Sequence, residues 1–166
     1  MTSLDFIHDT TFDNLPSTVV HEAIRCFVDT LGVAVGGSET ELSQIIHAHA
    51  VRQFGGNSST LWQDGRKVSA AGAALANGMT IDSLDAHDGH KLTKGHVGCG
   101  VLPCLIAVME AEGVNDPHEL LTSIVIGYEI GTRAGIALHS SACDYHTSGA
   151  WIALATSALT SRQLGL

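Results

Sequence analysis

SAAGAALANGMTIDSLDAHDGHKLTKGHVGCGVLPCLIAVMEAE, residues Ser69–Glu112, carries both the fold and the chemistry of this chain. Its first part, Ser69 to Ile81, is dominated by Ala and Gly. Small side chains let helix backbones approach one another closely, so this part predicts a tightly packed interior helix despite the helix cost of glycine. From Asp82 to Cys99 the helical period disappears and polar residues take over, which predicts a loop. Val101 to Glu112 is apolar again and predicts a second helix, with Pro103 tolerated in the first turn, where no intrahelical N–H bond is lost.

The same reading extends outward. Val20, Ala23, Ile24, Phe27, Val28, Leu31 and Val35 recur at helical spacing and predict an amphipathic helix with that stripe inward. Ser17 or Thr18 would cap it, and Gly36-Gly37 would end it. A helix from about Glu39 to Phe54 would turn Leu42, Ile45 and Ile46 inward and stop at Gly55-Gly56-Asn57. Ser59 to Val68, with Asp64-Gly65 at its centre, predicts a small hairpin, the one β element expected. Asp116-Pro117-His118-Glu119 predicts a sharp helix start: Asp as N-cap, Pro at N1 and Glu closing a capping box. That helix would carry Leu120, Leu121, Ile124, Val125 and Tyr128 inward and run to about Leu138. A loop from His139 to Ser148 would then lead to an Ala-rich helix ending near Leu164. The predicted class is all-α, multi-helix, with at most one short hairpin.

Of the 166 residues, 45% are hydrophobic and 15% charged, well below the roughly 25% charge of an average soluble domain. Such a chain either packs deeply or leaves apolar surface for a partner. With 17 Asp and Glu against 8 Lys and Arg, net −9, it lacks the clustered cations that nucleic acid requires. No apolar run reaches the length of a membrane span, and no secretory leader is visible at the start, so a cytoplasmic protein is expected. Cys26, Cys99, Cys104 and Cys143 form no CxxC pair and read as buried free thiols.

Chemistry concentrates between Asp82 and His96, where Asp82, Asp85, Asp88, His87, His90 and His96 are interleaved with Lys91 and Lys94. Imidazoles and carboxylates cover complementary ranges of proton affinity, which suits a site where protons move. A second candidate is Asp144-Tyr145-His146-Thr147-Ser148-Gly149. His96 and His146 each precede a predicted helix, whose N-terminal N–H groups and dipole favour a bound carboxylate. A metal reading competes, with His87-x-x-His90, Asp85, Asp88 and His96 as ligands, but no HExxH or Cys-based pattern accompanies it, and no metal is expected. His21, His47, His49 and His118 are expected on the surface, and His139 at a helix end. Glu129 and Arg133, four apart in an apolar setting, predict a partly buried ion pair. Trp62 and Trp151 predict core positions. GxGxxG and GxxxxGK[ST] are absent, so no organic cofactor is expected.

Five collinear blocks resemble the MmgE/PrpD family: LPSTVVHEAIRCFVDTLGVAVGGS, AAGAALANGMTIDSLDAHDGH, GHVGCGVLPCLIAVMEAEG, ELLTSIVIGYEIGTR and YHTSGAWIALATSALTSRQLGL. The resemblance implies that residues 1–166 form the N-terminal portion of the family's helical domain. The rest of that domain, the lid domain and a functional lysine would lie further along the chain. It also implies a homodimer and a lyase working by cofactor-independent proton transfer on a small polycarboxylate. Dehydration of a 2-methylcitrate-like substrate is the first expectation, with an iminodisuccinate-type epimerase or a cis-aconitate-type decarboxylase as alternatives. A non-catalytic or metal-binding helical module remains a further alternative. Carried over by position, Asp85, His96 and His146 are the expected catalytic residues, and Asp88, His90, Lys94 and Thr147 the expected substrate contacts. The chain departs from the family at Gly89, where Thr is frequent, at Val97, where Pro is common, and at His146-Thr147-Ser148-Gly149.

Overall fold

The computed structural model describes residues 2–144 and 147–166. The element order is α1 (Ser3–Asp9), a 3-10 turn (Phe12–Asn14), α2 (Ser17–Gly37), α3 (Glu41–Gln53), β1 (Ser59–Thr60), β2 (Lys67–Val68), α4 (Ala70–Asp82), β3 (Gly89–His90), β4 (Gly95–His96), α5 (Gly98–Glu112), α6 (Pro117–Ser141) and α7 (Gly149–Leu164). The all-α class stands, with two antiparallel strand pairs of two residues each rather than one. The second pair, β3 with β4, folds the segment expected to be a plain loop and matches Gly89 to His96 and His90 to Gly95.

The Ala/Gly stretch is α4, packed along α5 over most of its length. A Cβ on Gly78 would lie 2.8 Å from the Cys99 carbonyl oxygen, so only glycine lets the two backbones come this close. That contact fixes where the first turn of α5 sits. Two apolar clusters hold the rest. One joins α5, α6 and α7 through Val101, Leu102, Leu105, Ile124, Ile126, Trp151 and Leu159, with Trp151 only 1% exposed. The other seats the β1–β2 hairpin on α3 and α4 through Ile46, Ala50, Leu61, Val68, Ala73 and Ala76. Full burial of a large apolar side chain contributes roughly 1.5–3 kcal/mol, so these clusters dominate stability.

Several expectations are corrected. Helix α2 starts at Ser17, so neither Ser17 nor Thr18 caps it; Pro16 occupies the cap without a side-chain bond. Its buried face is Ala23, Thr30, Ala34 and Gly37, while Ile24, Val28 and Val35 are exposed. In α3, Ile46 is inward as expected, but Leu42 and Ile45 are exposed, and Ser43, His47 and Ala50 take the inner face. His47 is therefore a core residue: Nε2 bonds the Thr80 hydroxyl at 3.1 Å, and Nδ1 faces Asp64 at 3.5 Å. Asp116 caps α6 by accepting from the His118 N–H, yet Glu119 does not close the box. Its carboxylate instead takes the Arg162 guanidinium of α7 at 2.8 Å, and Arg162 also donates to the Ile7 and Thr10 carbonyls, tying α1 to α7. Glu129 and Arg133 do pair, at 2.7 Å, but on the surface. Trp62 is half-buried, and Cys143 is exposed. Among the described residues, no helix is long and apolar enough to cross a membrane.

Candidate active site

A cleft of about 630 Å³ opens where the end of α4, the β3–β4 hairpin and the first turns of α5 and α7 meet. Asp82, Asp85, Lys94, His96, Cys99, Thr147, Ser148 and Ile152 contribute to its wall. Two helix N-termini thus border one cavity, and α7 turns the positive end of its dipole toward it. A groove of about 570 Å³ between the end of α5 and the start of α6 is more apolar and is lined by no histidine.

His96 is held from three sides. Its backbone N–H donates to the Ser148 hydroxyl at 3.2 Å, which fastens β4 to the start of α7. Its ring Nδ1–H donates to the Asp88 carbonyl oxygen at 2.9 Å. Its Nε2 faces the Asp85 carboxylate at 3.0 Å. Both ring nitrogens therefore look at acceptors, because a carbonyl and an ionised carboxylate can only accept. A ring carrying a proton on each nitrogen donates to both acceptors at once. Asp85 is 81% exposed, so water screens the pair and its effect is chiefly orientation. Asp85 and Lys94 adopt left-handed backbone, with φ of 48° and 49°. Non-glycine residues rarely do so, at a cost on the order of 1–2 kcal/mol. Both residues line the cleft, so the strain falls on residues that form its wall.

The hairpin fits only because residue 95 is glycine. A Cβ there would overlap the Ser148 hydroxyl and approach Trp151 at 3.1 Å, pushing α7 off β4.

Asp88 and His90 are not part of the cleft wall. The Asp88 carboxylate points to the other side of the hairpin, where it accepts the Gly98 N–H at 3.1–3.2 Å and caps α5. Burial pushes its pKa up, partly offset by that N–H and by the Tyr128 hydroxyl nearby. Burial, with the Asp88 charge second, also drives the Tyr128 phenol far up, so it stays protonated. His90 Nδ1 accepts from the Thr93 N–H inside the hairpin. Lys94 and Thr147 do reach the cleft. His146, with Tyr145, lies outside the described residues.

Beneath His96 lies His87, its side chain fully buried, the ring centroids 4.1 Å apart and tilted by 41°. Burial, with the His96 charge second, lowers its pKa and keeps it neutral. Cys99, pushed up to about 12 by burial and by Asp82 and Asp88, is a thiol. Asp82, His87 and Cys99 offer an oxygen, a nitrogen and a sulfur within 4.8 Å of one another. The HxxH set weighed from sequence is not what the fold assembles, since His90 turns into the hairpin. Cys99 and Ser148 carry no sequence signal beyond sitting in or just before the first turn of a predicted helix.

The fold and cleft define a helical domain with a carboxylate-oriented imidazole between two helix N-termini. Residues 4–166 match the model of the MmgE/PrpD N-terminal domain, and the chain belongs to the MmgE/PrpD family. It is similar to human cis-aconitate decarboxylase, 31% identical over 132 residues covering 76% of this chain and 27% of that protein. It is also similar to the cis-aconitate decarboxylase-like protein oryM of Aspergillus oryzae, 25% identical over 92% of this chain and 34% of that protein. The mouse cis-aconitate decarboxylase is 31% identical over 63% of this chain and 22% of its own length. The chain thus spans about a third or less of the curated relatives it matches.

Proposed function

We propose that this chain supplies the proton-donating side of a lyase that decarboxylates a small unsaturated polycarboxylate of the cis-aconitate type without an organic cofactor. The observation that carries this reading is His96, with acceptors on both ring nitrogens and Nε2 turned to the cleft. Loss of carbon dioxide breaks a C–C bond and leaves its electron pair on carbon, delocalised into the neighbouring double bond and carboxylate. The delocalised carbanion then needs one proton at one end of its allylic system, and an imidazole Nε2–H is the group in the wall suited to give it. Asp85 holds the ring in place and balances its charge. Lys94 and the α7 N-terminus would hold the remaining carboxylates, offsetting the net negative charge of the chain. The two carboxylates of the wall, Asp82 and Asp85, would orient the substrate by repulsion.

This reading differs from 2-methylcitrate dehydration in the first demand it makes of the protein: donation to carbon rather than abstraction from it. The relatives named as cis-aconitate decarboxylases support the same choice. Asp88 and His90 are assigned no contact with the reacting carbon; Asp88 positions His96 and α5 through its carbonyl and carboxylate. The test supplies the full-length protein with cis-aconitate, 2-methylcitrate and iminodisuccinate in separate reactions. Carbon dioxide from cis-aconitate is the expected product. Water loss from 2-methylcitrate or stereoinversion of iminodisuccinate, with no carbon dioxide from cis-aconitate, would replace this reading by the corresponding alternative.

A further inference from the structure

We propose that Asp82, His87 and Cys99 form a binding site for one divalent cation of borderline softness, with zinc as the best fit. The proposal does not rest on the lyase reading. Its three donors come from three places that the fold brings together: the last residue of α4, the loop before β3 and the first turn of α5. Their ligand atoms lie within 4.8 Å of one another, a spread that a single tetrahedral ion can draw together with small side-chain rotations. One thiolate, one imidazole and one carboxylate form a set that zinc accepts and that magnesium or calcium, which want oxygen alone, do not.

A second observation points to a ligand independently. The His87 side chain is wholly buried, yet neither ring nitrogen makes a hydrogen bond. Nε2 faces Asp82 Oδ1 at 3.4 Å without bonding it. Buried polar groups are almost always satisfied, so an imidazole left this way asks for a partner. A cation between His87, Asp82 and Cys99 supplies one. Binding breaks the Cys99 S–H bond, forms a metal–sulfur bond and releases the proton to solvent. Asp82 and Cys99 also border the cleft, so the fourth coordination position opens there to water or to a substrate carboxylate.

The test uses full-length protein stripped with a chelator and then given zinc or cobalt alone. Calorimetry is expected to find one zinc per chain, and cobalt to give the strong ligand-field and thiolate-to-metal bands of a tetrahedral sulfur-bound ion. Cys99→Ser should abolish the charge-transfer band, and His87→Gln should weaken zinc binding at least roughly tenfold, whereas His21→Gln, on the exposed face of α2, should change neither. In the unmutated protein, zinc should slow alkylation of Cys99 without slowing that of exposed Cys143, a readout that needs no variant to fold. No zinc uptake, a weak octahedral cobalt spectrum, or unprotected Cys99 at saturating zinc would overturn the proposal.

Discussion

At the scale of single residues, the chemistry turns on which atoms face His96. Because the Asp88 carbonyl fixes Nδ1–H, the proton that matters sits on Nε2, and Asp85 orients it from an exposed position. Replacing Asp85 by Asn keeps the shape but removes the charge, so turnover should fall by a smaller factor, on the order of tenfold, than the loss on removing His96. Steady-state assays with the two variants side by side check the order. Gly95 makes a structural prediction independent of chemistry. Gly95→Ala must displace Ser148 or Trp151 and should destabilise the fold by about 1–3 kcal/mol. Urea unfolding reads that directly; an unchanged midpoint would show that the hairpin and α7 can separate freely.

At the scale of elements, the buried histidines set the response to acid. Burial lowers the pKa of His47 and of His87 below 6.5, so folded imidazoles take up protons at lower pH than unfolded ones. The stability they contribute is complete above 6.5 and is lost as pH falls below it, since the unfolded chain then binds more protons. Asp88, whose pKa is raised, acts with the opposite sign in the carboxylate range above 3.8. The His47→Gln variant isolates one contribution: its unfolding midpoint should drop less than that of the parent between about pH 7.5 and pH 5.5. Equal slopes would contradict a buried neutral His47. The clamp between α6 and α7 makes the other element-level prediction. Glu119→Ala leaves a partly buried Arg162 without its carboxylate and should cost roughly 2–4 kcal/mol, with α1 fraying first. Hydrogen exchange resolves whether α1 loses protection ahead of the core.

At the scale of the whole molecule, the helices were legible because their punctuation is local: Asp116-Pro117 starts α6, Gly36-Gly37 ends α2, and the Ala-rich stretch marks α4. Their facing was not. Helix α2 buries Ala23, Thr30 and Ala34, small residues that permit close approach, and leaves Val28 and Val35 at 60% and 54% exposure. A hydrophobicity stripe reads large side chains as inward, so it placed Ala23 and Phe27 correctly but Ile24, Val28 and Val35 wrongly. Those exposed residues agree with the low charge content, which called for apolar surface. The β3–β4 hairpin hid because glycine and histidine carry no strand preference; tertiary contact with α7 makes it. In the site, Asp85 and His96 were legible as a cluster, and Lys94 and Thr147 line the same cleft. The directions of Asp88 and His90 were not legible, since they are set by the bonds Asp88 makes to the Gly98 N–H and His90 to the Thr93 N–H once the hairpin folds. The most direct test of the account is single turnover of cis-aconitate by the full-length protein in heavy water, with and without His96→Asn. The account predicts one deuterium per product on a carbon of the allylic system that carbon dioxide leaves behind, and a rate loss of roughly 10²–10⁴ in the variant. An unchanged rate in His96→Asn would contradict it.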